Sequence, residues 1–131
     1  MNREIKFRGK LVNSEEWTEG NLCIRVDGNY IITPDETVLG KYGKVDKETV
    51  GQYTGLHDKN GKEIWENDIV EITREGIYET IYEKGIIIFK NGCFFIKSKK
   101  TLLALYNCEL NNYKVKVIGN ITDNSELLGG K

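Results

Sequence analysis

The sequence predicts a mainly β protein: a β-rich N-terminal lobe packed on a C-terminal SH3-like small barrel, with few short helical turns. Three observations carry this. Short runs of alternating apolar and polar residues recur along the 131 residues, as half-buried strands require. Asp-Gly and Asn-Gly pairs fall between such runs, where hairpins turn. Only three segments read as helical turns, and none is long.

The elements follow in order. Ile5-Lys6-Phe7-Arg8 alternates apolar with basic residues, and Trp17 to Arg25 is a second extended run. Asp27-Gly28 separates Leu22–Val26 from Tyr30–Thr33, a hairpin signal because both residue types tolerate positive φ. Pro34 closes that strand, since it has no N–H for a ladder. The polar stretch from Asp35 to Lys47, with Gly40 and Gly43, reads as the least ordered connection. Val50 to Thr54 is extended again. Asp58-Lys59-Asn60-Gly61-Lys62 is a turn, and Glu63 to Asn67 suits one 3₁₀ or α turn. Asp68 to Thr73 is a strand. Ile77–Lys84 and Gly85–Lys90 form one long extended stretch bent at Gly85. Asn91-Gly92 turns it back through Cys93–Lys97. Thr101 to Leu110 fits a helical turn and a strand equally well. Tyr113 to Val117 alternates and ends at Gly119, and Asn124 to Leu128 offers cap residues ahead of a short turn.

Strands of about five residues with almost no helix require a sandwich or a small barrel. We divide the chain into residues 1–49, the β-rich lobe, and 50–131, the barrel lobe. Val70, Ile72, Ile88, Phe94, Ile96, Val115 and Val117 make the expected barrel core. Ile86–Phe89 and Cys93–Ile96 are apolar on both faces, so the outer face needs a cover. The first lobe is the expected main cover, with a second copy of the chain as a further contributor.

Composition narrows the function. With 39% apolar residues and a single proline, the chain is neither disordered nor a Pro-rich linker. A net charge of −1 gives no footprint for bulk nucleic acid or for an anionic membrane surface. No apolar window reaches the ~18 residues of a membrane span, and the first ten residues lack a signal-peptide core. Cys23, Cys93 and Cys108 are odd in number, form no Cys-x-x-Cys pair, and sit among apolar neighbours. All three are expected to be small buried hydrophobes, with no disulfide or metal needed for folding.

Three segments, in order, resemble the YopX-like family of small bacteriophage and prophage proteins. They are Arg3-Glu4-Ile5-Lys6-Phe7-Arg8, then Gln52-Tyr53-Thr54-Gly55-Leu56 with Asp58-Lys59-Asn60-Gly61-Lys62-Glu63-Ile64 and Glu66-Asn67-Asp68-Ile69-Val70, and finally Val117-Ile118-Gly119-Asn120-Ile121 with Asn124-Ser125-Glu126-Leu127-Leu128. Gly9 stands where that family often has alanine before tryptophan, Asn67 where it has glycine, and Ser125 where it has proline. The resemblance implies a phage origin, a bacterial cytoplasmic setting and a β-rich fold with an SH3-like part. It brings no reaction, cofactor or catalytic residue.

The family-motif residues are Tyr53, Thr54, Gly55, Asp58, Asn60, Gly61, Glu66 and Asp68. His57, Asp58, Glu63, Glu66 and Asp68 would make a metal or acid–base site only if three converged on one cavity. The simpler reading is that Asp58 and Asn60 shape a turn, and that Glu66, Asn67 and Asp68 shape a strand entry. Tyr42, Tyr53, Trp65, Tyr78, Tyr82 and Tyr106 would line a groove or fill a core. Trp65, Lys99 and Lys100 mark a candidate interaction surface, the lysines also a phosphate contact. The leading expectation is a non-enzymatic phage accessory protein that contacts another protein, such as a host component, or a second copy of itself. A nucleic-acid-associated barrel ranks second. A metal-dependent enzyme ranks last, because no nucleophile–base pair is evident.

Overall fold

Local turn chemistry lays out the strands. The computed structural model describes residues 4–34, 43–108 and 110–128. Its strands are β1 (Phe7–Lys10), β2 (Trp17–Ile24), β3 (Tyr30–Thr33), β4 (Gly43–Val45), β5 (Gly51–His57), β6 (Glu63–Trp65), β7 (Asp68–Glu75), β8 (Thr80–Lys90), β9 (Cys93–Lys97), β10 (Leu102–Ala104) and β11 (Lys114–Asn120). Three 3₁₀ turns, Lys47–Thr49, Leu105–Asn107 and Ser125–Leu128, complete the set. The chain is mainly β, in antiparallel sheets, as the alternation predicts. It forms two compact units, residues 1–55 and 56–131.

In the first unit the strand order is β4-β3-β2-β1-β5. Arg25 and Asn29 close the β2–β3 hairpin, the Arg25 N–H donating to the Asn29 carbonyl at 2.8 Å, with Gly28 at φ 90°. This is a three-residue loop with its glycine left-handed, a common hairpin connection. The small core is Leu11, Ile32 and Val45, flanked by Phe7, Leu22, Tyr30 and Val50. At its described end, the stretch expected to be the least ordered connection, Asp35 to Lys47, holds strand β4 and the start of the Lys47–Thr49 turn. The Asp46 carboxylate caps that turn by accepting from the Glu48 N–H, and Ile31 pairs with Lys44 across β3–β4. The remainder of that connection, residues 35–42, lies outside the described residues.

In the second unit the order is β10-β9-β8-β7-β11. Asn91 and Gly92, at φ 53° and 81°, make the two-residue turn that the β8–β9 hairpin needs. Ile87 pairs with Ile96, and both are fully buried with Ile64, Val70, Ile72 and Leu105. Thus Ile87, not Ile88, faces the core. A run of three isoleucines carries no alternation, so the sequence cannot choose between them. The register does: Val70 sits opposite Gly85, placing Gly85 and Ile87 inward. A Cβ on Gly85 would lie 2.7 Å from Ile96 Cγ2 and 2.9 Å from the Lys97 carbonyl oxygen, so glycine is required by close approach.

Four further expectations change. Glu63 to Asn67 is not a helical turn: Glu63–Trp65 is strand, and Glu66 and Asn67 make the turn, Asn67 at φ 76°. The equivocal 101–110 segment is both, strand β10 followed directly by the Leu105–Asn107 turn. Strand β11 continues through Gly119 by a bulge after Val117. Cys108 is buried, but Cys23 and Cys93 are exposed, because each sits on the outward phase of its strand.

Candidate functional site

The densest polar motif in the sequence builds a turn. Asp58 is 7% exposed. Its Oδ1 accepts from the backbone N–H groups of Asn60 at 2.8 Å and Lys62 at 2.9 Å, while Oδ2 accepts from the Val117 N–H at 2.9 Å. The Lys59 N–H donates to the Val115 carbonyl, also at 2.9 Å. One carboxylate therefore closes its own turn and ties it to β11, 59 residues further along the chain. Burial alone would raise its pKa. The three N–H donors, Val117 foremost, and the charge of Lys62 outweigh it and hold the group below its usual 3.8.

The other motif residues have separate duties. Gly61, at φ 85°, completes the Asp58 turn, with Asn60 at its exposed tip. Asp68 is 2% exposed, and its Oδ2 accepts from the Trp65 N–H at 2.8 Å. Glu66 is half-buried between them in sequence. In the first unit, Tyr53 is buried, the Lys6 ammonium lies 5.0 Å from its ring centre, and its N–H donates to the Lys6 carbonyl. Thr54 is half-buried and Gly55, at φ 88°, is exposed. Among the described residues no group of three His, Cys, Asp or Glu side chains is placed to hold a metal.

Trp65, expected at an interaction surface, is 4% exposed and belongs to the interior. Ile64 and Trp65 are successive on β6 and so point to opposite faces, and both are buried, which leaves neither face of this strand open to solvent there. Lys99 and Lys100 are exposed in the Ser98–Thr101 turn between β9 and β10. Of the aromatic groove candidates, Tyr53 and Trp65 are core, Tyr78 and Tyr82 are exposed, and Tyr42 lies outside the described residues.

Tyr106 does line a cavity, of about 1060 Å³, in the second unit. Its floor is apolar, made by Ile64, Leu105, Cys108 and Val115. Its rim carries Leu56, His57, Lys59, Glu75, Tyr106 and Lys114. The 3₁₀ turn after β10 places Leu105 inward and Tyr106 outward, 64% exposed. Tyr113 stands at the edge with the Arg74 guanidinium 5.3 Å from its ring centre. Burial pushes the Cys108 thiol up to about 11. Its Sγ faces the Ala104 carbonyl at 3.6 Å, so at neutral pH it is a protonated, weakly donating wall group and no nucleophile. Of the lining residues the sequence singled out Asp58, His57 and Tyr106, and it named Val115 and Cys108 as buried. That they form one floor was invisible, because Leu105, Cys108 and Val115 meet only through the sheet.

Comparison with known proteins links the chain to a family and to a solved structure. A family model described as YopX protein matches residues 6–129. The crystal structure of protein EF1440 from Enterococcus faecalis is similar over 97% of this chain and 99% of that one, with 24% identity and a TM-score of 0.59, which shows a shared fold. No curated protein matches the sequence.

Proposed function

The chain belongs to the YopX family, and from that premise we propose that it is a phage-encoded, non-enzymatic protein-interaction module working in the bacterial cytoplasm. The observation that carries this reading is the cavity of the second unit. An apolar floor under a rim of mixed charge and one exposed tyrosine suits an apolar side chain presented by another protein. The SH3-like reading of this unit is supported by its strand order, first strand between the last and the second, and by the 3₁₀ turn before the last strand. The phage and cytoplasmic setting rests on the motif resemblance. No helix among the described residues is long and apolar enough to cross a membrane.

The test is capture from a bacterial host lysate with the intact chain and with Leu56→Asp/Tyr106→Asp, both exposed rim positions. A partner retained by the intact chain and lost by the variant supports the reading. A partner set untouched by the variant overturns it, and nucleic-acid binding at physiological salt that depends on Lys99 and Lys100 would favour a nucleic-acid-associated barrel.

A further inference from the structure

One exposed feature of the second unit is out of keeping with its place. The hairpin joining β7 to β8 runs past the packed part of the sheet, and residues 74–80 are all exposed. Its turn is closed by the Gly76 N–H donating to the Glu79 carbonyl at 2.7 Å. The two residues between them, where turns place Asn, Asp or Gly, are Ile77 and Tyr78. They are 91% and 97% exposed. Neither has the positive φ that Asn91, at the corresponding tip of β8–β9, adopts. Backbone geometry thus gives no reason for a solvated isoleucine–tyrosine pair, and in water it lowers solubility without adding to the core.

The cavity supplies a reason. Glu75 and Thr80, the last pair of the hairpin stem, also line the cavity. Apolar tip and apolar hole therefore adjoin on the same unit. The rim carries Glu75 but also two cations, Lys59 and Lys114, and the hairpin brings Glu79 beside the tip as a carboxylate for those lysines. Tyrosine is among the side chains that dominate interfaces when seated in a pocket, isoleucine adds apolar area to bury, and the cavity volume is large enough for both. A knob and a hole carried side by side on one chain are self-complementary when a second copy is turned about a two-fold axis.

We propose that this protein self-associates by seating Ile77 and Tyr78 of one copy in the cavity of a second copy, with Glu79 meeting the partner rim lysines. The inference rests on the reading of the cavity as a protein-binding site and names its occupant. The contact area of two small tips sets a concentration-dependent association that dilution reverses.

Sedimentation of the intact full chain across dilution tests it. The expected result is a mass above one chain at high concentration, falling to one chain on dilution. Ile77→Ser/Tyr78→Ser, at solvated positions that leave far-UV spectra unchanged, weakens association by about tenfold or more. Lys59→Glu/Lys114→Glu weakens it as well, and adding Glu79→Lys to that variant restores it, because the repulsion is then removed in every copy. A single-chain mass at every concentration overturns the proposal. So does a tip variant of unchanged mass, or a charge reversal that Glu79→Lys does not restore. If the intact chain is monomeric while Leu56→Asp/Tyr106→Asp still abolishes capture of a host protein, the cavity reading stands and only the second-copy occupant falls.

Discussion

Asp58 shows how one side chain sets both a local and a long-range geometry. Its two oxygens satisfy three backbone N–H groups, from Asn60, Lys62 and Val117. Removing them leaves buried donors unmatched, at about 1–3 kcal/mol. Asp58→Ala is therefore expected to lower stability by about that amount in urea unfolding, and more than Asp58→Asn, which keeps one acceptor oxygen. The pH dependence has a definite sign. The folded-state pKa lies below the unfolded value near 3.8, so the stabilisation is complete above that value and is lost as pH falls through the folded one. Acid titration of Asp58→Asn should lack this part of the low-pH loss. The cysteines separate by the same residue-level logic. Cys23 and Cys93 are exposed, while Cys108 is buried with its thiol pushed up to about 11. A thiol reagent at neutral pH is expected to modify Cys23 and Cys93 readily, and Cys108 only on unfolding.

At the scale of the element, two backbone positions govern the strands of the second unit. Asn67, at φ 76°, swings the chain from β6 into β7, its N–H donating to Ile87 and its carbonyl accepting from the Ile121 N–H. Asn67→Gly should be close to neutral and Asn67→Ala should cost about 1 kcal/mol, since alanine resists the left-handed conformation. Equal thermal midpoints for the two variants would contradict this. Gly85 is set by contact instead. Any Cβ there meets Ile96 and the Lys97 carbonyl, so Gly85→Ala should destabilise by about 1–3 kcal/mol, as overpacking does. The β2–β3 and β8–β9 turns were legible in sequence because Asp-Gly and Asn-Gly carry their own φ preferences, whereas the β7–β8 turn at Ile77-Tyr78, read as extended, carries no such signal. Strand β6 was not. Glu63-Ile64-Trp65 is three residues long, with no alternation to distinguish it from a helical turn, and its extended form depends on burying Ile64 and Trp65 together.

For the molecule as a whole, a net charge of −1 and an exposed lysine pair at the β9–β10 turn govern contact with polyanions. Nucleic-acid binding is expected to be weak at physiological salt, with a shallow salt dependence that Lys99→Glu/Lys100→Glu reduces further. Nanomolar, sequence-specific binding in a salt titration would overturn that expectation. What the sequence alone determined is what neighbours along the chain decide: the β class, the Asp-Gly and Asn-Gly hairpin turns, the alternating strands β1 and β11, and the family through its ordered motifs. Tertiary structure decided the rest. Which of three successive isoleucines faces inward follows from pairing with β7 and β9, since an unbroken apolar run has no phase of its own. The partner of Asp58 lies 59 residues away. The cavity is assembled from segments around residues 56–64, 73–80 and 105–115, each an ordinary strand or turn when read singly. A binding surface is a property of which side chains are left unsatisfied after packing, and packing is a relation between distant segments that no local pattern records.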